Sequence, residues 1–325
     1  MNNILNPLIE TIDKAIKAHQ WGEEPKELYE PIGYIMSLGG KRLRPLLTLL
    51  GYRLFNDDIR PAIAPAMAVE TFHNFTLVHD DIMDKAPLRR GKETVHTKWN
   101  DNIAILSGDV MMIKVYDHLL DLDPEILPAA LKAFNTNATE VCEGQQKDMN
   151  FESRDDVTAE EYLDMIRQKT AVLLGLALQL GAMVAKAPEE IQAGLYDFAV
   201  KLGIGFQLKD DLLDVYGDQA KFGKQVGGDI IENKKTYLLI KAKELASGEL
   251  AAELEKWIAH ENPIAEDKVK AVTEIYNQLD IKNITEQLMQ SSFEEAFGIL
   301  ESMPLNEQQK TYLSDFATIV INREK

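Results

Sequence analysis

A chain of 325 residues, 45% of them hydrophobic, can form one large domain or two ordinary ones with a substantial core. Its 53 acidic residues against 35 basic ones give a formal net charge of −18, which argues against a nucleic-acid partner. The single cysteine, Cys142, excludes a disulfide framework within the chain and fits a reducing compartment.

No targeting or membrane segment is evident in the sequence. The first residues, 1–7, lack both the basic region and the apolar stretch of a signal peptide. The longest apolar-rich run, 171–185, is interrupted by Gln179 and is too short to cross a bilayer. We therefore expect a cytoplasmic protein without a membrane span.

Helical periodicity dominates the chain, and the prolines mostly fall where helices should begin or end. The predicted helices include 66–84, 101–120, 129–150, 158–186 and 189–216. Several are apolar on all sides, which is typical of central helices in a large bundle. Residues 217–233 are rich in Gly, Lys and Asp and predict a loop, whereas the chain from about 246 is amphipathic helix. With no low-complexity linker, the pattern predicts a single all-α domain spanning 1–325.

The most informative pattern is Asp-Asp-x-x-Asp, which occurs at 80–84 and again at 210–214. Residues four apart share one face of a helix, so each copy points two carboxylates in one direction. These charges repel one another, and at the C-terminal end of a helix they also oppose the helix dipole. Solvated acidic helix ends are the alternative explanation for either copy alone. Two copies instead indicate sites for a hard cation such as Mg²⁺, which takes oxygen ligands and bridges to phosphates.

Basic residues accompany both acidic motifs. Lys41, Arg42 and Arg44 follow the pair Gly39-Gly40, and Arg89-Arg90 follows the first motif. Lys169 lies within an apolar helix, where an unpaired lysine is costly. Around the second motif lie Lys221, Lys224, Lys234 and Lys235. Arginine and lysine both bind phosphate, but surface salt bridges are the alternative, which we favour for Lys221 and Lys235.

Other polar side chains are less specific. His73 precedes Asp80 by seven residues, about two helical turns, and either donates a hydrogen bond to a phosphate or is a satisfied core residue. Gln145 and Asp148 lie on one helix face and either line a cavity or pair with each other. Cys142 is expected in the core.

Taken together, these residues resemble the trans-isoprenyl diphosphate synthases, the polyprenyl synthetase family, over roughly residues 30–240. The motifs that carry the resemblance occur in the family's order: Gly39-Gly40-Lys41-Arg42-Leu43-Arg44-Pro45, Asp80 to Asp84, Arg89-Arg90-Gly91, Gly144-Gln145 with Asp148, Lys169-Thr170, Phe206-Gln207 with Asp210 to Asp214, Gly223-Lys224 with Gly227 and Asp229, and Lys234 with Thr236.

The resemblance implies a large antiparallel helical bundle around a deep central cavity, a homodimer, and a prenyltransferase that joins isopentenyl diphosphate to an allylic diphosphate. It implies three Mg²⁺ ions per site, with Mn²⁺ as an alternative. Asp80, Asp84 and Asp210 would be direct ligands, and Asp81 and Asp214 indirect ones. Arg89, Lys169, Lys224 and Lys234 would hold the allylic diphosphate. Lys41, Arg44, His73 and Arg90 would bind isopentenyl diphosphate, and Thr170 and Gln207 would position the reacting ends.

Two positions depart from the family pattern. Leu238 stands where the family often has a proline, and Glu93 replaces the proline of Arg-Arg-Gly-x-Pro-Thr. Both resemble loop variation, and neither removes a charge on which the assignment depends.

Three alternatives remain open. A terpene cyclase of the same fold class would keep one acidic motif and lack the isopentenyl site. A di-iron carboxylate bundle needs Glu-x-x-His pairs, which neither motif supplies. A non-catalytic synthase subunit would be expected to lose acidic motifs.

Phe75 bears on product length. It lies five residues before Asp80, roughly 7.5 Å deeper along a helix, where its ring is either a floor for the growing chain or ordinary core packing. Thr76 beside it is small, and the motif 80–84 has no insertion. This combination resembles geranylgeranyl diphosphate synthases, with twenty carbons, and farnesyl diphosphate synthase is the alternative.

Overall fold

The computed structural model describes residues 5–217, 227–260 and 263–322. Helices α1 to α10 are Leu5–Ala18, Lys26–Ser37, Leu43–Arg53, Ile63–Met83, Val95–Lys98, Asp101–Leu120, Leu127–Glu152, Ala159–Ile166, Val172–Val184 and Glu189–Tyr216. Helices α11 to α16 are Gly228–Ile231, Tyr237–Leu245, Gly248–Ala259, Ala265–Gln278, Ile281–Ser302 and Glu307–Ile321. A short antiparallel hairpin pairs β1, Leu88–Arg89, with β2, Lys92–Glu93. The predicted all-α fold is confirmed.

The chain divides into two compact units, each built from three segments of sequence. The first contains Met1–Asn135, Leu176–Tyr196 and Pro304–Leu313. The second contains Thr136–Gly175, Asp197–Met303 and Ser314–Lys325. The single domain spanning 1–325 stays a prediction.

In the first unit, α4 packs against α3 and α6. Its residues from Pro65 to Phe72 are all buried, which agrees with the all-round apolar pattern of a central helix. The polar end of this helix carries the first acidic motif. The neighbouring hairpin contains the predicted residues Arg89, the last residue of β1, and Arg90, the first residue of its turn.

In the second unit, Thr158 begins α8 with a capping box, its side chain accepting from Glu161 N while the Glu161 carboxylate accepts from Thr158 N. The predicted continuous helix 158–186 is interrupted by a π-helical segment, Arg167–Ala171. Further along the chain, α12, α14 and α15 share a core that includes Leu238 and Tyr276. Leu238 therefore belongs to a buried helix rather than to a variable loop.

The described helices and the single cysteine can be compared with the sequence predictions about a membrane span and about burial. Within the described ranges, none of the helices combines the length and the apolar character needed to cross a membrane. Cys142 is exposed, contrary to its predicted place in the core, because its neighbour Val141 takes the buried position on α7.

Candidate functional site

The predicted site residues form two groups, one in each unit. In the first unit, Asp80 and Asp81 lie in the last turn of α4 and Asp84 follows it directly. Asp81 is only 1% exposed, and both of its carboxylate oxygens accept Arg89 Nε at 2.9 Å. Arg89 Nη2 lies 2.7 Å from Asp81 Oδ1. Asp80 is half-buried and Asp84 is exposed. The middle carboxylate of the motif is thus occupied by the protein itself, and the outer two are the accessible ones.

The turn of the hairpin determines the positions of the two arginines. Arg90 and Gly91 have φ values of 53° and 73°, as a two-residue type I′ turn requires. Arg89 binds Asp81, whereas Arg90 Nη1 donates to the carbonyl oxygen of Gly39. A Cβ on Gly40 would lie 2.8 Å from the Arg90 guanidinium carbon, and the φ of 130° at Gly40 is one that residues with a side chain rarely adopt. Arg90 therefore contacts the glycine pair that precedes Lys41, and its role in substrate binding stays a prediction.

Arg44 and His73 meet beside this segment. Arg44 Nη1 lies 3.2 Å from His73 Nε2, and because arginine can only donate, this histidine nitrogen is the acceptor. Burial, followed by the charges of Arg44, Arg90, Arg89 and Arg42, holds the His73 pKa well below its usual value of 6.5. The ring is therefore neutral at physiological pH, with its proton on Nδ1. Burial lowers the pKa of Arg44 to about 10, so its guanidinium stays charged at neutral pH.

Sequence reasoning missed a buried ion pair next to these residues. Arg42, 5% exposed, donates to Glu70 Oε1 at 2.5 Å and to the Met36 carbonyl oxygen at 2.7 Å. Asn74 Nδ2 donates to the same Glu70 oxygen, Oε1, at 3.0 Å. The available signal was Glu70 itself, because a carboxylate within an apolar helix needs a buried cation. Arg42 thereby fixes the start of α3, two residues before Arg44.

Lys41 and Phe75 lie at the margins of this group. Lys41 is exposed and Phe75 is half-buried. The Phe75 ring centroid lies 5.7 Å from that of Phe72 and 4.7 Å from the His79 ring. Thr76 uses its hydroxyl within the helix, donating to the His73 carbonyl oxygen at 2.8 Å. The floor role of Phe75 stays a prediction.

In the second unit, Lys169 and Thr170 lie within the π-helical segment, a local widening that is frequent at functional sites. Lys169 Nζ lies 2.5 Å from Asp148 Oδ2, so this lysine in its apolar helix is paired. Gly144 on α7 makes room for the segment, because a Cβ there would lie under 3.0 Å from Lys169 N. Asp148 thus pairs with Lys169.

A hydrogen-bonded chain links the π-helical segment to the second acidic motif. Thr170 Oγ1 donates to Gln207 Oε1 at 3.2 Å, and Gln207 Nε2 donates to Asp211 Oδ1 at 3.1 Å. The Tyr162 hydroxyl donates to Asp211 Oδ2. Asp211 is 4% exposed, and burial together with the charge of Asp229 raises its pKa to about 7. Burial and Asp211 raise the pKa of Tyr162 well above 10. Neither Tyr162 nor Asp211 was assigned a role from the sequence.

The remaining acids and lysines of this group adjoin α11. Asp214 Oδ2 accepts from Asp229 N at 3.0 Å, so this carboxylate caps the start of α11. Asp210 is half-buried, and Lys234 Nζ lies 3.9 Å from Asp229 Oδ1. Lys235, whose side chain is 10% exposed, forms an ion pair of 3.6 Å with the exposed Asp155. Lys221 and Lys224 lie outside the described residues.

The donor set fits Mg²⁺. Within the described part of the chain, no cluster of three or more Asp, Glu, His or Cys side chains is arranged to hold a metal ion. Such a cluster is not needed for Mg²⁺, which binds through one or two carboxylates and completes its shell with water and substrate phosphates. The outer carboxylates of the first motif, Asp80 and Asp84, match that requirement, and so does Asp210.

Comparison with known proteins identifies the family. The sequence profile of the Polyprenyl synthetase family matches residues 25–276, which is more than three quarters of the chain. The chain belongs to this family. Over 246 residues it is 42% identical to the geranylgeranyl pyrophosphate synthase of Geoglobus acetivorans, covering 75% of this chain and 77% of that one. Over 320 residues it is 35% identical to the geranylgeranyl diphosphate synthase of Methanosarcina mazei, covering 96% and 95%.

A solved structure extends the likeness to the fold. The crystal structure of a geranylgeranyl pyrophosphate synthase superposes with a TM-score of 0.94 at 45% identity, covering 100% of both chains. This polyprenyl synthetase family member is therefore an enzyme, a prenyltransferase with the all-α isoprenoid synthase fold.

Proposed function

We propose that the enzyme condenses isopentenyl diphosphate with an allylic diphosphate and that its product is geranylgeranyl diphosphate. One observation carries the proposal: corresponding aspartates of the two acidic motifs have similar burial and similar kinds of contact. In each copy the second aspartate is buried and bonded within the protein, Asp81 to Arg89 and Asp211 to Tyr162 and Gln207. The first aspartates, Asp80 and Asp210, are less buried and suit metal binding. The names of the relatives support the choice of substrate class and product.

In this proposal, Asp80, Asp84 and Asp210 would hold three Mg²⁺ ions, or Mn²⁺ in their place, and Asp81 and Asp214 would act indirectly. Bound there, the ions would supply positive charge to neutralise the departing diphosphate. Asp81 orients Arg89, and Asp214 orients the backbone of Asp229. Arg89, Lys169, Lys224 and Lys234 hold the allylic diphosphate with charge-assisted hydrogen bonds.

The second substrate is assigned to the arginine-rich group of the first unit. Lys41, Arg44 and Arg90 are cations for the diphosphate of isopentenyl diphosphate, and neutral His73 has its Nδ1 proton to donate. As the allylic carbon–oxygen bond breaks, the isopentenyl double bond attacks the developing cation and forms the new carbon–carbon bond. The departed diphosphate then accepts the proton lost from the new chain. Thr170 and Gln207, joined by their hydrogen bond, position the reacting ends. No protein nucleophile is required.

We also propose a homodimer that works in the cytoplasm. Leu106, Ile113 and Leu120 recur every seven residues on α6 and are 57%, 60% and 61% exposed. This spacing places them on one helix face, where a second copy would cover an apolar stripe that water does not favour. The single cysteine supports a reducing compartment.

The test is an assay of the purified chain alone with Mg²⁺, labelled isopentenyl diphosphate and dimethylallyl, geranyl or farnesyl diphosphate. We expect label to enter a C20 diphosphate, identified by chromatography after dephosphorylation. A C15 end product would establish the farnesyl alternative. Hydrocarbon formed without isopentenyl diphosphate would indicate a terpene cyclase, and activity only with an added partner chain would indicate a non-catalytic subunit.

A further inference from the structure

Lys268 on α14 is a buried lysine far along the chain from the family's acidic motifs. Its residue exposure is 2%, whereas Lys270 on the same helix is exposed. Burying an ammonium is costly unless its protons are bonded. Burial also lowers the pKa of Lys268 from its usual value. A lysine in this position therefore needs a structural or functional reason.

The ammonium of Lys268 bonds to two uncharged oxygens in one turn. Nζ lies 3.0 Å from the carbonyl oxygen of Ile231, the last residue of α11, and 2.7 Å from Asn233 Oδ1. Asn233 adopts the left-handed conformation, with a φ of 55°, and its Nδ2 donates to the Ile258 carbonyl oxygen at 3.1 Å. Lys268 therefore fixes both the end of α11 and the residue that precedes Lys234.

The opposite end of α11 is held by the second acidic motif. Asp214 accepts from the backbone N–H of Asp229 in the first turn, and its carbonyl oxygen accepts from Gly227 N at 2.6 Å. A helix end with free N–H groups favours an anion, and one with free carbonyls favours a cation. The short helix thus has a carboxylate at its start and an ammonium at its end. It supplies Asp229, and the turn after it supplies Lys234.

We propose that Lys268 is a positioning residue that holds the Asp229–Lys234 turn against the second acidic motif for binding of a metal diphosphate. The inference rests on the proposed function, because the diphosphate bound there is the allylic one. It assigns a role to α14, which carries no motif of its own. Lys268 acts through Lys234 and Asp214 and does not touch the substrate.

The test compares Lys268→Met with the matched control Lys270→Met. Methionine is an unbranched side chain one atom shorter than lysine, and it leaves the Ile231 carbonyl oxygen and the Asn233 amide oxygen without their donor. We expect kcat/KM for the allylic diphosphate to fall about 10-fold to 100-fold, because small displacements of a binding group have effects of that size. The KM for isopentenyl diphosphate should change less than about twofold, since its assigned residues belong to the other unit. A purely structural defect would affect both substrates equally.

A second variant keeps the test decisive if Lys268→Met does not fold. Asn233→Gly removes the amide but tolerates the left-handed backbone, and should reproduce the loss in milder form. Calorimetry with inorganic pyrophosphate, with and without Mg²⁺, gives a readout independent of turnover. We expect the Mg²⁺-dependent affinity to fall about tenfold in Lys268→Met and to be unchanged in Lys270→Met.

The outcomes separate the two proposals. If Lys268→Met and Asn233→Gly both fold and keep wild-type kcat/KM and pyrophosphate affinity, the positioning role is wrong. It is also wrong if Lys268→Met unfolds while Asn233→Gly behaves as wild type. If the wild-type chain fails to condense the substrates but Lys268→Met still weakens pyrophosphate binding, the proposed function is wrong and the role of Lys268 stands.

Discussion

At the scale of single residues, the two acidic motifs are more similar in the structure than in their predicted roles. From the resemblance, Asp81 and Asp214 were the indirect members. The structure adds Asp211 to these indirect members, because the hydroxyl of Tyr162, 49 residues away in sequence, donates a hydrogen bond to it. No sequence pattern reports a partner at that distance. For Glu70 and Lys169 the need for a partner could be anticipated, because an apolar helix cannot leave a charge unpaired, but the partners themselves, Arg42 and Asp148, could not be named.

The ligand assignment predicts that Asp80→Asn and Asp210→Asn each lower kcat by about 10²-fold or more, because each removes a negative ligand from an ion that neutralises the leaving diphosphate. The exposed Asp109 on α6 gives the control Asp109→Asn, which should keep wild-type kcat. Steady-state rates at saturating Mg²⁺ and substrates measure kcat for each variant. Near-normal turnover in either motif variant would contradict the metal assignment.

His118 predicts a specific pH dependence of stability. Burial, and then the neighbouring His19, lower the pKa of His118 from 6.5 to about 4. Between these values the unfolded chain binds a proton that the folded chain does not, so the free energy of unfolding falls as the pH drops from 6.5 towards 4. Linkage puts the loss at about 2 kcal/mol by pH 5. Below pH 4 both states are protonated and this loss stops growing.

Urea unfolding at pH 7 and pH 5 measures this effect. The wild-type chain should lose about 2 kcal/mol more than His118→Gln, in which the titrating ring is absent. Equal losses in the two proteins would show that His118 is readily protonated in the folded state.

At the scale of helices, sequence periodicity predicted bounds well where apolar and polar faces end sharply. The helices 101–120 and 189–216 have the predicted limits, and 129–150 is extended by two residues at each end. The π-helical segment was not predicted. An extra residue in a turn changes the helix phase, but an all-round apolar helix has no polar face in which that change would be visible.

Gly144 should be sensitive to substitution because α7 approaches the π-helical segment there. Gly144→Ala would place a methyl group against the Lys169 backbone, and relieving that overlap costs about 1–3 kcal/mol. We expect lower stability and a kcat reduced by displacement of Lys169 and Thr170. Gly298→Ala on α15, where no atom lies within 4 Å of the added Cβ, is the matched control and should be neutral or slightly stabilising. A stable, fully active Gly144→Ala would show that the close approach is not needed.

Phe75 offers a test of product length on α4. Replacing its ring with a methyl group in Phe75→Ala should open space beneath the motif and lengthen the product by one or more isoprene units. Phe134→Ala is a useful comparison, because Phe134 is fully buried against Phe72 and should lower stability without moving the product. Chromatography of dephosphorylated products from all three proteins, run together, gives the answer. An unchanged distribution of product lengths in Phe75→Ala would show that this ring does not limit the length of the growing chain.

At the scale of the whole molecule, the sequence predicted the all-α class because nearly every apolar segment repeats with a helical period. It did not predict that the chain divides into two compact units, since each is assembled from three separated segments. Periodicity describes individual elements, and only long-range packing decides which segments cluster. The short hairpin was missed for a related reason, as two residues per strand are too few to alternate.

The proposed dimer predicts a change in mass. Replacing the exposed Ile113 with aspartate in Ile113→Asp puts a charge in the middle of the apolar stripe on α6 and should convert dimers to monomers. Light scattering with size-exclusion chromatography measures the mass directly. Lys132→Asp, an exposed charge reversal on α7, is the control and should leave the mass at that of the wild type. A dimeric Ile113→Asp would place the interface elsewhere.

The hairpin that carries Arg89 and Arg90 has a consequence for how this gene can vary. Arg89 ends β1 and binds the acidic motif, whereas Arg90 begins the turn and binds the glycine segment. Adding or deleting one codon between Leu88 and Glu93 would change the two-residue turn and the strand pairing, and would displace both arginines. Substitutions at the exposed Lys92 should be tolerated freely, whereas changes of length should be purged from any library selected for activity. The side chain at position 92 of this hairpin can therefore vary, whereas the number of residues in the hairpin cannot.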